Sequence, residues 1–489
     1  MKNAYPVLMM LSLFWLGPLS AQNNFDQYFK DQTLRIDYYH SGNAQSESVV
    51  IDRIFQYGIW AGSLVNLVDN LNYGAYYHKV YDSQTKQLIY SRGFDSYFKE
   101  YQTSTPASEG QVKTFHESAI LPLPKSSIIF ALEKRNKEGH LNEIFQIQID
   151  PSDAGIIKNE GIDPQVKVFT SLNNGDPHIK ADIAIIGEGY TAEQEDKFKA
   201  DLNRFTEVFF KAEPCKSYKD HFNIYGVFKP SAQSGVDEPR AGIYKNTAVS
   251  ASFNALGSER YLLTEDNRSL RNIASRAPYD ALYIMVNHTR YGGGGIYNFY
   301  CTYTSDNINS EYLMVHEFGH SFFGLADEYY TSSTAYNDFY PPGYEPSEPN
   351  ITALGDPKNV KWKHLVAKGI EMPTPWGKAA YDEKDYAWQK IRTRMNDNIA
   401  KLQMTGALKA TIIKAKQEYD TKSIQRDKEV QEYLENSIYA GKVGAFEGAG
   451  YASTGLFRPY INCIMFTRTD YFCPVCQEAM DGIIDWYSK

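Results

Sequence analysis

The sequence predicts an all-β sandwich followed by an α/β domain that carries a helical insertion. Three observations predict it. Short alternating or β-rich runs recur between residues 25 and 160, with weak helical periodicity. From about residue 165 the runs become continuous and apolar and alternate with helix signals. Residues from about 380 to 440 are charged and helix-prone, and glycine and proline are nearly absent there.

The elements follow in order. Thr33 to Tyr39, Tyr76 to Tyr81, Leu88 to Tyr90 and Ser126 to Leu132 read as strands, separated by turn signals such as Ser41-Gly42-Asn43. Asp182 to Gly187 reads as a strand covered on both faces. Thr191 to Gln194 offers a capping box for a helix running to about Lys211. Asn223 to Phe228 and Ala281 to Val286 read as further buried strands, which makes a βαβ start to a helix-covered sheet. Four glycines, Gly292 to Gly295, then let another backbone approach closely. The alternating segment after them, Ile296 to Thr304, is a candidate edge strand able to pair with an extended peptide, or an ordinary strand after a loose loop.

With 489 residues, 43% hydrophobic and 22% charged, the chain is an ordinary globular composition with room for two or three domains. A net charge of −9 argues against nucleic acid or an anionic membrane surface as a partner. Aromatic residues reach 14%, with 38 Tyr, which fits strand faces and half-wet surfaces. Lys2, the apolar run Tyr5 to Leu19, and Ser20-Ala21-Gln22 describe a secretory signal peptide over residues 1–21. The run is too short for a good membrane span, and no later stretch is long and apolar enough to span. The expected layout is a β-sandwich over 22–165 and a second domain over 166–489, in an exported chain that is periplasmic, cell-surface or extracellular.

The chemistry concentrates at His316-Glu317-Phe318-Gly319-His320. The motif lies in a helix expected to start near Asn309 or Ser310. Spacing of i,i+4 puts both imidazoles on one helical face, where they can share one Zn²⁺. Glu317 sits about 100° around the helix, beside the metal rather than on it, as a general base requires. Gly324 ends the helix and turns the chain back. Asp327, seven residues after His320, is the candidate third ligand and Glu328 is its rival. Two histidines and a carboxylate leave one coordination position for water, the arrangement of a catalytic zinc site. The implied reaction is peptide-bond hydrolysis in which Glu317 moves a proton from water to the leaving amine.

HEFGHSFFGLADEYY resembles the metzincin peptidases, with the glycine and the acid each one place later than their pattern. That variant is similar to the bacterial IgA metallopeptidase family. Ser234 to Asp237, the glycine run, Asn359 to Trp362, Phe446 to Tyr451 and Phe472 to Cys476 share the resemblance, which spans about residues 180 to 480. The β-rich first part also looks like the domain that precedes the peptidase in that family. The resemblance implies a metzincin-like second domain, one zinc ion, and a Met-turn at Met465 within Asn462 to Met465. Tyr451 and Tyr460 lie near that turn and are candidates for an oxyanion or substrate contact. The implied partner is a protein or peptide; a host glycoprotein or an immunoglobulin follows only from the family's name.

Other constellations are weaker. Gly319-His320-Ser321 begins a nucleophile elbow but lacks its closing glycine. Of the five cysteines, Cys473 and Cys476 suggest a local disulfide or a packed pair, ahead of a redox pair or half a zinc site without a second pair. A second class of reading is an exported adhesion or glycan-binding protein on a retired peptidase scaffold. The intact His316, Glu317 and His320 set argues against it.

Overall fold

The computed structural model describes residues 25–158, 163–331 and 339–489. The expected signal peptide lies outside the described residues. Among them, no helix is long and apolar enough to cross a membrane.

Eight strands open the chain: β1 (Phe29–Gly42), β2 (Glu47–Tyr57), β3 (Tyr76–Asp82), β4 (Leu88–Phe94), β5 (Lys113–Pro124), β6 (Ile128–Arg135), β7 (Leu141–Ile149) and β8 (Ile157–Lys158). They form two four-stranded sheets, ordered β5-β1-β2-β8 and β4-β3-β6-β7. One core lies between them. Leu34, Ile36 and Tyr38 of β1 and Leu121 of β5 meet Val80 of β3 and Phe130 and Leu132 of β6, all at 0% exposure. The alternation visible in the sequence is the period-2 signature of such half-buried strands. Two short helices, Tyr97–Gln102 and Thr105–Ser108, interrupt the strands before β5.

The second sheet has six strands: β9 (Lys167–Leu172), β10 (Ala181–Glu188), β11 (Phe222–Phe228), β12 (Ala281–Val286), β13 (Gly293–Ile296) and β14 (Tyr300–Thr304). Their order is β13-β14-β12-β10-β11-β9. β11, β10, β12 and β14 run parallel, and β9 and β13 close the two edges antiparallel. Every residue of β10 and β12 is buried, because helices or other chain cover both faces. Ile183 and Ile185 of β10 face the Glu195–Phe209 helix and the Ser310–Ser321 helix. Ala184 and Ile186 face the Asn267–Ala274 helix together with Tyr97, Phe98 and Tyr101 of the first domain. The first domain therefore shares a core with the sheet and is not a detached module.

The glycine run itself is the edge strand. Gly293 to Ile296 pairs with Tyr300 to Thr304, and β14 is an interior strand. Of the two sequence readings for Ile296 to Thr304, an edge strand or an ordinary strand after a loose loop, β14 fits the ordinary strand, while the glycines before it are an ordered edge rather than a loose loop. Gly295 explains why: a Cβ there would sit 2.4 Å from the Glu317 carbonyl oxygen and 2.9 Å from the His320 Cβ. Only glycine lets this strand lie directly on the histidine-bearing helix.

The insertion is a helical hairpin, Lys378–Met404 against Lys409–Glu435. Most of its charge is solvated, but Asp385 and Arg426 form a buried pair at 2.9 Å. A two-stranded ribbon, β15 (Phe446–Ala449) and β16 (Ala452–Arg458), and a final helix, Pro474–Tyr487, complete the fold.

A candidate metal centre on the floor of the cleft

The motif helix runs from Ser310 to Ser321 with Asn309 at its N-cap position. It is wrapped in apolar side chains: Leu313, Met314 and Phe318 are buried against Tyr283 and Phe209. Gly324 stops it with φ +61°, and its N–H donates to the His320 carbonyl at 3.1 Å. The chain then doubles back as an irregular segment that returns to the histidines.

Three donor atoms converge there. His316 Nε2 and His320 Nε2 lie 3.2 Å apart. Asp327 Oδ1 is 3.1 Å from the first and 3.2 Å from the second. Both other ring nitrogens are occupied. Nδ1 of His316 donates to the Ile464 carbonyl at 2.9 Å, and Nδ1 of His320 donates to the Leu325 carbonyl at 2.6 Å. Those bonds fix the tautomers and leave two bare Nε2 lone pairs facing a carboxylate oxygen. Asp327 Oδ1 is buried with no hydrogen-bond donor. Three converging acceptors repel one another unless a cation lies between them. Ligands about 2.0–2.1 Å from a tetrahedral ion would stand roughly 3.3 Å apart, close to the observed separations.

Burial opposes charge on His320, but the Asp327 and Glu317 carboxylates outweigh it and push its pKa up to about 9. Burial likewise opposes charge on Asp327, yet His320 and His316 hold its carboxyl well below the usual range. Burial pushes Glu317 up, against the pull of His316 and His320. A carboxylate oxygen of Glu317 and a nitrogen of each histidine lie within 4.8 Å of one another, so the acid stands beside the cluster. It faces β13, where a Cβ on Gly293 would stand 3.1 Å from its Oε1.

The sequence model described as IgA Peptidase M64 matches residues 170–484, and that described as Peptidase M64 N-terminus matches residues 24–146. The chain belongs to the IgA Peptidase M64 family. Membership brings with it a peptidase family and a two-part architecture, a strand-rich N-terminal part before sheets and helices. No curated protein matches the sequence.

In this M64 family member the remaining sequence candidates divide. Glu328 does not join the histidines. It is fully buried on the opposite side of the chain, where Oε1 accepts from Asn350 Nδ2 at 3.1 Å. Met465 lies under the motif helix: a Cβ on Gly319 would meet its Sδ at 2.7 Å. Tyr451 lines the cleft and its hydroxyl donates to Asp327 Oδ2. That bond aims the carboxylate. Tyr460 is not among the cleft-lining residues; it is half-buried and packs against the core that holds the cysteines. Its proximity to Met465 in sequence did not carry it to the same side. Of the two local readings for Cys473 and Cys476, a disulfide or a packed pair, the structure has the packed pair: both are buried free thiols. They sit with Cys463 and Glu328.

The M64 cleft also contains residues that sequence reasoning missed. Arg260 lines it and donates to the Tyr329 hydroxyl at 3.1 Å. Tyr291 lies beside them, and Asp95, Lys99 and Glu100 reach in from the first domain. Nothing local marks Arg260, which sits in an irregular segment far upstream of the motif. The position of Tyr329 two residues after Asp327 was the one available signal.

Proposed function

We propose that this M64 family member is an exported zinc-dependent endopeptidase of metzincin type. His316, His320 and Asp327 hold the ion, and Met465 forms the Met-turn floor. The observation that carries the reading is the convergence of two imidazole Nε2 atoms and one carboxylate oxygen within 3.2 Å of one another beside a buried glutamate. Zinc bound there supplies Lewis acidity toward the scissile carbonyl and makes a water at its open position more acidic.

The chain's own residues do the rest. Glu317 Oε takes a proton from the attacking water and delivers it to the leaving amine. Burial of Glu317 raises its proton affinity, which suits a group that must first accept and then release a proton. Arg260 and Tyr329 are the cleft-lining groups suited to steady negative charge developing on the carbonyl oxygen. The edge strand β13 forms one wall of the cleft and suits an extended peptide laid alongside it. Export rests on Lys2 and the apolar run that follows it.

Digestion of a peptide library by the purified chain tests the proposal. Cleavage abolished by a chelator and restored by zinc supports it. Equal cleavage with and without bound metal would remove it. The adhesion reading would instead give glycan or protein capture with no cleavage under any metal condition.

A further inference from the structure

The irregular segment that carries Asp327 places its next residue, Glu328, in a second cluster. Glu328, Cys463, Cys473 and Cys476 each offer one donor atom within 4.8 Å of the others. All four residues are at 0% exposure. Cys463 Sγ and Cys476 Sγ stand 3.8 Å apart, and Cys476 Sγ stands 3.5 Å from Glu328 Oε1. A tetrahedral zinc with sulfur ligands at about 2.3 Å and an oxygen ligand at about 2.0 Å has edges of roughly 3.8 and 3.5 Å. The two separations match the two kinds of edge.

We propose that Cys463, Cys473, Cys476 and Glu328 form a second, structural zinc site behind the candidate metal centre. Three further observations support it. Glu328 Oε2 is buried without a hydrogen-bond partner, a costly state for a carboxylate that a dication relieves. The Cys473 N–H donates to Cys463 Sγ at 3.3 Å, the kind of bond that stabilises a thiolate. Cys473 and Cys476 straddle the start of the Pro474–Tyr487 helix in the C-x-x-C spacing of structural zinc sites. Four protein ligands leave no open position, so the site holds structure and does not activate water. Binding would release the thiol protons and leave three soft sulfur ligands, a set that selects zinc over harder cations.

The two sites share their framework. Cys463, Ile464 and Met465 are consecutive. Cys463 belongs to the thiol cluster, the Ile464 carbonyl accepts from His316, and the Met465 carbonyl accepts from the Glu328 N–H at 2.8 Å. A zinc gripping Cys463 and Glu328 therefore pins both strands of chain that position His316 and Asp327. It also ties them to the C-terminal helix, whose end reaches the first domain through Asn66 and the Trp486 carbonyl. The proposal does not depend on peptidase activity.

The test is metal counting on the full chain, purified from zinc-supplemented culture without chelator. Two zinc ions per wild-type chain are expected, and one in His316→Ala/His320→Ala, where the cysteines are untouched. Cobalt exchanged into that double variant should show intense near-ultraviolet sulfur-to-metal absorption. Thiol titration after denaturation with chelator should find all five cysteines free. Cys473→Ser/Cys476→Ser should lose one zinc; should it fail to fold, the histidine variant still decides. No zinc in the histidine variant, or only three titratable thiols, would overturn the proposal. The second result would mean that two cysteines of the cluster are joined as a disulfide.

Discussion

The hydroxyl of Tyr451 donates to Oδ2 of Asp327 and so turns Oδ1 toward His316 and His320. Tyr451 holds an unusual backbone conformation to do it, with φ +64° in a non-glycine residue. Tyr451 lies 124 positions after Asp327, and the whole helical hairpin falls between them. Removing the hydroxyl with Tyr451→Phe frees the carboxylate to rotate. Zinc affinity should fall about 10- to 100-fold, the usual cost of losing a bond that orients a metal ligand. Competition with a chromophoric chelator measures it, and unchanged affinity would deny Tyr451 this role.

Glu317→Ala should retain zinc and lose activity. The donors His316, His320 and Asp327 remain in place, while the proton carrier is gone. A loss of about 100- to 10,000-fold in kcat is expected for a general base. Metal content by mass spectrometry, paired with peptide turnover, separates this outcome from simple metal loss.

Gly295→Ala should damage the cleft without removing a polar group. The added carbon would press on the Glu317 carbonyl and the His320 Cβ, at 2.4 and 2.9 Å. Helix and strand must part, at a cost of about 1–3 kcal/mol for overpacking. A lower thermal midpoint together with weaker zinc binding is expected. A variant with both unchanged would mean that β13 moves freely.

Stability should fall on the alkaline side because of His40. Burial opposes its charge, but Glu117 at 3.1 Å and Glu47 at 2.9 Å outweigh that and push its pKa up to about 9. A raised folded-state value means that the contribution is complete below about pH 6.5 and is lost as pH rises through about 9. The shift from 6.5 to about 9 corresponds to at most about 3 kcal/mol. Denaturant unfolding of the full chain at pH 6.5 and pH 9.5 measures it. His40→Gln should be less stable at pH 6.5 and lose this alkaline slope.

Much of the fold was legible where periodicity is local. The buried strand Ala281–Val286 coincides with its expectation, and β10 and β11 differ from theirs by one residue at an end or two. Strands β2, β5 and β7 were not foreseen, nor were the shorter β8, β9, β15 and β16. Their faces are mixed: the burial of β2 follows no clean alternation, since its register shifts against β1 at a bulge. The helical hairpin was visible from composition, but its buried Asp385–Arg426 pair was not, because nothing local distinguishes those two from their solvated neighbours.

The sequence alone determined the histidine pair and its flanking glutamate. Residues four apart on a helix share a face whatever the rest of the chain does. It also determined that an acid would follow a glycine stop. It left open which acid faces the imidazoles, and only the tertiary structure places Asp327 there. Asp327 and Glu328 are neighbours in an irregular segment and point to opposite sides, one to the imidazoles and one to the thiols. Which side meets which cluster depends on how the loop bearing Cys463 and Met465 packs beneath the motif helix. That contact joins positions more than 130 residues apart, and no local spacing encodes it.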